Sequence, residues 1–145
     1  MKRLFSDDCL EADIIALSGL VPEFAQAREL TGALTLRSSN EGFASLVKTI
    51  IGQQVSVASA NAIWKKLDTK GLTTRENITN SDFDTLRANG LSRQKATYLL
   101  ALADAKINFD DLSSQTNDEI MQTLTAVKGI GKWTAEIYLM FALGR

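Results

Sequence analysis

Two glycines one residue apart, Gly129 and Gly131, stand immediately before Lys132, Trp133 and Thr134. The run from Val127 to Lys132 reads as a short turn that ends one helix and starts another. Glycines there let the backbone bend sharply and approach a ligand with no Cβ in the way. The first amides of the second helix lack intrahelical acceptors and lie at the positive end of its dipole. The chemistry such a turn offers is capture of an anion, above all a phosphate, without reading any base. Ile130, between the glycines, is expected to plug the turn into the core. A plainer reading of the same glycines is a tight turn between antiparallel helices, and a lone Gly-x-Gly does not separate the two.

Other chemistries are narrowed by what the chain does not contain. It has no histidine and a single cysteine, Cys9. That excludes Ser-His-Asp hydrolysis, imidazole acid–base catalysis, an intrachain disulfide, a cysteine-ligated zinc site and an iron–sulfur cluster. Carboxylates, lysines, hydroxyls and backbone groups remain. The formal net charge is −1, from 16 basic and 17 acidic residues. Nucleic acid, if it is the partner, must be held by a few aimed amides rather than by a basic coat. No apolar run approaches the roughly 18 residues of a spanning helix, and residues 1–8 are too acidic for a signal peptide. The expected location is the cytoplasm, at the nucleoid if DNA is bound.

The elements that would position the turn are legible from helix punctuation. A single proline and the scarcity of alternating patterns point to an all-α fold in one domain of 145 residues. Asp7 or Asp8 is expected to cap a helix bearing Leu10, Ile14 and Leu17 and ending at Gly19; Pro22 is placed at the first position of the next. Asn40 is expected to cap a helix with Phe43, Leu46, Val47, Ile50 and Ile51, closed by Gly52. Ser56 opens another, with Ala60, Ile63, Trp64 and Leu67 inward. Ser81 and Asp84 resemble a capping box before Leu86, with a stop at Asn89 and Gly90. Ser92 caps a helix through Ala96, Leu99, Leu100 and Ala103. Helices over 117–124 and 132–143 complete the set. The longer loops are expected at 31–39 and 70–80.

Three ordered stretches carry a family resemblance. Residues 127–135 (VKGIGKWTA) look like the hairpin of the helix-hairpin-helix DNA glycosylases. Residues 43–56 (FASLVKTIIGQQVS) resemble the helix and turn that open the same domain in the 3-methyladenine DNA glycosylase II branch. Residues 90–96 (GLSRQKA) are similar to a third family segment. The resemblance covers residues 40–145 and implies a glycosylase core there, with the hairpin at 125–131 and residues 1–39 packing on it as N-terminal helices.

The resemblance also implies roles. Gly129, Gly131 and Lys132 would hold a DNA phosphate on their amides. Lys128 and Lys132 would add charge, unless they are solvated turn lysines. The backbone carbonyls of Thr125, Val127 and Ile130 match the positions that hold a monovalent cation, sodium or potassium; no other cofactor is required. Gln54 matches the residue that wedges into the duplex, the alternative being that Gln53 and Gln54 only satisfy backbone groups in a turn. Trp133 falls at the wall of the base pocket, the alternative being a core tryptophan; Trp64 reads as core. The bifunctional branch carries its Schiff-base lysine where Trp133 stands, so the resemblance implies a monofunctional glycosylase that uses water. Its partner would be double-stranded DNA carrying alkylated bases such as 3-methyladenine, with no membrane and no small-molecule cofactor.

The family's catalytic aspartate should follow the hairpin and would fall beyond Arg145. Asp104, Asp110 and Asp111 lie upstream, and nothing in the family pattern makes them substitutes. In addition, nine of the twelve residues from 132 to 143 are apolar, and a helix apolar all round must be covered. Further helices or a second copy of the chain would supply that cover. The expectation is therefore a glycosylase domain incomplete at its C-terminus and inactive by itself. The alternatives are a non-catalytic helix-hairpin-helix DNA-binding module and a purely structural helical domain.

Overall fold

In the computed structural model, residues 6–39 and 41–145 are described, and among them the architecture is all-α. The helices are α1 (Asp7–Leu20), α2 (Pro22–Thr31), α3 (Phe43–Gly52), α4 (Val57–Thr69), α5 (Arg75–Thr79), α6 (Phe83–Ala88), α7 (Arg93–Asp104), α8 (Phe109–Leu112), α9 (Asn117–Thr125) and α10 (Lys132–Phe141).

The core is organised around α3. Leu46, Val47, Ile50 and Ile51 are fully buried, the i, i+1, i+4, i+5 spacing of one helix face. Each such side chain contributes about 1.5–3 kcal/mol by leaving water. α3 packs against α4, α7 and α10. Leu67, Ile78, Leu86, Leu99, Leu102, Ile120, Leu124 and Tyr138 close around it. Arg75 joins this core from α5: its guanidinium lies over the rings of Phe43 and Phe109, 5.7 and 5.6 Å from their centroids, and Nη2 donates to the Ile107 carbonyl at 2.6 Å. Phe109 in turn meets Tyr138, whose hydroxyl accepts the Gly42 N–H at 2.9 Å.

Several caps fall where the residue types put them. Ser56 accepts from Ser59 N–H and Ser92 from Lys95 N–H, and Pro22 occupies the start of α2. Others are displaced by a residue or two. Ser6, in extended conformation, caps α1 and leaves Asp7 and Asp8 in its first turn, where they complement the dipole. Asp82 caps α6 in place of Ser81, because its carboxylate reaches the Thr85 amide at 2.6 Å. The capping box belongs to Thr116 and Glu119 at α9. Gly42 stands at the cap of α3; Asn40, expected there, lies outside the described residues, as do residues 1–5. The loop expected at 70–80 contains α5, and α8 forms after Asn108.

One expectation about packing is corrected. Trp64 is half-buried at the margin of the core with Lys48 Nζ 5.8 Å from its ring, because the serine-lined groove of Ser38, Ser39 and Ser45 leaves one side open. In the segment after α2, Ser39 N–H donates to the Phe141 carbonyl at 2.7 Å. α1 and α2 themselves carry no buried residue; they pack on each other, with Arg28 paired to Glu11.

Candidate nucleic-acid interface

The hairpin forms between α9 and α10. Val127 N–H donates to the Leu124 carbonyl and Ile130 N–H to the Val127 carbonyl, which closes a tight turn. Ile130 is buried, as expected of a plug, and Val127 beside it. Gly129 has φ +96, a left-handed conformation that favours glycine, and a Cβ there would overlap the ring of Tyr98 on α7. Gly131 has open space around it and is the N-cap of α10, with no side chain capping the helix. Seven of the other helices, by contrast, receive a Ser, Thr, Asp or Asn cap. Among the described residues, the amides of Gly129, Gly131, Lys132, Trp133 and Thr134 have no backbone acceptor. Gly131, Lys132 and Trp133 are exposed. The turn thus presents unsatisfied donors to solvent at the positive end of a helix.

Facing the hairpin is the turn that joins α3 to α4. Gln53 caps the end of α3, and its Nε2 donates to the Gly129 carbonyl at 3.1 Å and the Thr134 hydroxyl at 3.3 Å. Gln54, next in the chain, is exposed and sits at φ 55. Both glutamines, Thr125 to Gly131, and the start of α7 line a cleft of about 640 Å³. The lining carries two lysines, Lys95 and Lys128, and no carboxylate. An almost neutral chain therefore has a locally cationic cleft.

Lys95 is 8% exposed, and its Nζ donates to the Ile51 carbonyl at 2.6 Å, satisfying an orphan group in the last turn of α3. Burial pushes its ammonium below the usual lysine range. Lys132 is exposed and forms a loose i,i+4 pair with Glu136 at 3.7 Å, an arrangement worth little in water.

Trp133 is 63% exposed on α10 and does not line this cleft. Ile137 and Met140 follow on the same face, half-buried and exposed. The opposite face of α10 buries Thr134, Ala135, Tyr138 and Leu139. The uncovered apolar surface of this helix is thus one stripe headed by the tryptophan.

Gln54, Thr125, Val127, Lys128, Gly129, Ile130 and Gly131 are brought together on one cleft, while Lys132 and Trp133 stand just beyond it. The sequence offered Gln53 only the alternative role of satisfying backbone groups in its turn, which its bond to the Gly129 carbonyl fits, and it assigned no role to Lys95 or Tyr98. Lys95 could have been noticed: it shares the helical face of Leu99 and Leu102, a position where an unpaired charge is costly.

An all-helical core with a Gly-x-Gly hairpin opposite a glutamine turn defines a class. The chain belongs to the HhH-GPD superfamily of base excision DNA repair proteins, whose model matches residues 47–129. Within it, the chain is 33% identical to the DNA-3-methyladenine glycosylase 1 of Schizosaccharomyces pombe, over 90% of this chain and 63% of the relative. Two solved structures align closely. One is the Schizosaccharomyces pombe 3-methyladenine DNA glycosylase in complex with abasic DNA: TM-score 0.80, 32% identity, 91% of this chain and 70% of that one. The other is the DNA-3-methyladenine glycosidase of Bacillus halodurans: TM-score 0.77, 32% identity, 100% of this chain and 69% of that one. The chain spans 63% of the length of its Schizosaccharomyces pombe relative.

Proposed function

We propose that this chain binds double-stranded DNA at an alkylated nucleotide and serves hydrolysis of the bond between that base and its sugar. The observation that carries the reading is the cleft itself. Free hairpin amides and the exposed Gln54 turn meet across a surface that holds lysines and excludes carboxylates. The likeness to a glycosylase solved on abasic DNA supports the same reading.

The amides of Gly129, Gly131 and Lys132 would take one phosphate without reading sequence. Extruding a base costs a few kcal/mol, and Gln54 would fill the space left and hydrogen-bond the orphaned partner. Trp133 lies two residues beyond Gly131, so an indole face stands close to the gripped strand. Alkylated purines carry positive charge, and such a face attracts them beyond ordinary stacking. No lysine occupies position 133, which supports water rather than an amine as nucleophile.

Thr125, Val127 and Ile130 fit a monovalent cation, sodium or potassium. Among the described residues the carbonyls of Thr125 and Ile130 accept no backbone hydrogen bond, and that of Val127 accepts only one. Bound there, the ion would supply a positive charge between these carbonyls and a DNA phosphate.

Stabilising the oxocarbenium-like sugar calls for a carboxylate. Asp104 is exposed at the end of α7, and Asp111 is engaged by the Asn108 side chain at 2.6 Å. Neither these nor Asp110 lines the cleft. The proposal therefore assigns the catalytic carboxylate to no residue of this chain, which alone would release no base. The test is a pair of assays on the chain: titration with intact and abasic duplexes, and 3-methyladenine release from alkylated DNA. Salt-sensitive binding without release is expected. Rapid release would contradict the carboxylate assignment, and absence of any duplex affinity would contradict the whole reading.

A further inference from the structure

We propose that Gln53 is a positioning residue that couples the wedge turn to the hairpin, so that phosphate capture and insertion of Gln54 are one event. This rests on the DNA-lesion reading above. The Gly129 carbonyl can only accept, so the Gln53 amide must present its NH2 group to it. The same group reaches Thr134 Oγ1, at the first turn of α10. One half-buried side chain thus ties the residue beside Gln54 to both the turn and the helix start of the phosphate site, segments 76 and 81 residues away in sequence.

Gln54 needs such a tie. A non-glycine residue at φ 55 occupies a sparsely used region, and it persists only where its surroundings over-determine it. Gln53 supplies one constraint through the hairpin. Lys95 supplies another by holding the Ile51 carbonyl at the end of α3. One turn further along α7, Tyr98 lies against Gly129. The wedge turn and the hairpin therefore rest on the same helix and are joined across the gap by a single amide. A phosphate fixed on the hairpin sets where Gln54 stands relative to the strand. Less backbone ordering entropy then opposes insertion.

The experiment uses the full chain with two substitutions. Gln53→Glu keeps the size but turns an oxygen toward the Gly129 carbonyl; Gln53→Met keeps the length and removes the donors without adding charge. The probes are an intact duplex and the same duplex with a tetrahydrofuran abasic analogue beside 2-aminopurine. The readouts are the ratio of the two affinities and the 2-aminopurine fluorescence, which rises on unstacking. Both variants should lower the preference for the abasic duplex by about tenfold, as for a lost buried hydrogen bond, with a weaker fluorescence rise. In a Gln54→Ala background, either change should alter the ratio by less than about twofold. Thermal melting identifies any variant that fails to fold, and Gln53→Met then decides.

Equal losses on both duplexes, or a loss undiminished in the Gln54→Ala background, would overturn the proposal by leaving Gln53 a merely structural role. A preference that survives Gln54→Ala overturns it as well. If Gln54→Ala abolishes the preference and neither Gln53 variant does, the coupling alone falls. If the unmodified chain binds neither duplex, the DNA reading falls with it.

Discussion

The ring of Tyr98 occupies the space that a side chain at Gly129 would need. This contact brings α7 against the hairpin and makes position 129 a glycine twice over, by sterics and by its φ of +96. Gly131 is under neither constraint, since nothing lies within 4 Å of a Cβ built there. The two glycines of one motif therefore serve different ends.

Substitution should separate them. Gly129→Ala is expected to destabilise the fold by about 2–4 kcal/mol, the sum of left-handed strain and overpacking. Gly131→Ala should change stability by less than about 1 kcal/mol. Chemical denaturation of the two variants checks this. Equal losses would mean that the Tyr98 contact does not govern the turn.

Gln54 sets stability against function. Its left-handed backbone costs a non-glycine residue about 1–2 kcal/mol, and its exposed side chain contributes little packing. Gln54→Gly should therefore raise the melting temperature while lowering the affinity for an abasic duplex. Melting curves and titration on the same sample read both. A variant that melts lower would show that Gln54 is held in place for the sake of the fold.

Tyr138 predicts an alkaline limit. Burial raises its phenol above the ordinary value of 10.0, opposed by the Gly42 N–H and assisted by the nearby Glu41 charge. The folded chain then holds the proton more tightly than the unfolded one. The associated stability is complete below pH 10 and is lost as pH rises through the raised value. Tyr138→Phe should flatten this alkaline fall. It should also cost about 1 kcal/mol at neutral pH, because the Gly42 N–H loses its acceptor. Denaturation at a series of pH values tests both, and an unchanged alkaline slope would point to another group.

Much of this arrangement is legible in residue types. The glycines, Ile130, Ser56 and Ser92 each announce a local geometry, and α3 shows its buried face in its spacing. Short elements escape because they offer no periodicity: α5 has 5 residues and α8 has 4. Caps slip by one position where acidic and hydroxyl residues are adjacent, as at Ser81 and Asp82. The site's long-range ties are a different matter. Gln53 with Gly129, Lys95 with Ile51 and Tyr98 with Gly129 join segments far apart in sequence. Periodicity states which face is buried but not what lies opposite. Trp133 shows the limit most plainly, since an aromatic on a helix start reads as core or as ligand surface, and here it is exposed.

The most direct test is to follow backbone amide resonances while the chain is titrated with a short duplex carrying an abasic analogue. The account predicts that the Gly129, Gly131 and Lys132 amides shift first and most, and that salt weakens binding with the shallow slope of few phosphate contacts. Shifts confined to lysine-rich surface away from the hairpin, with these three amides unmoved at saturation, would contradict it.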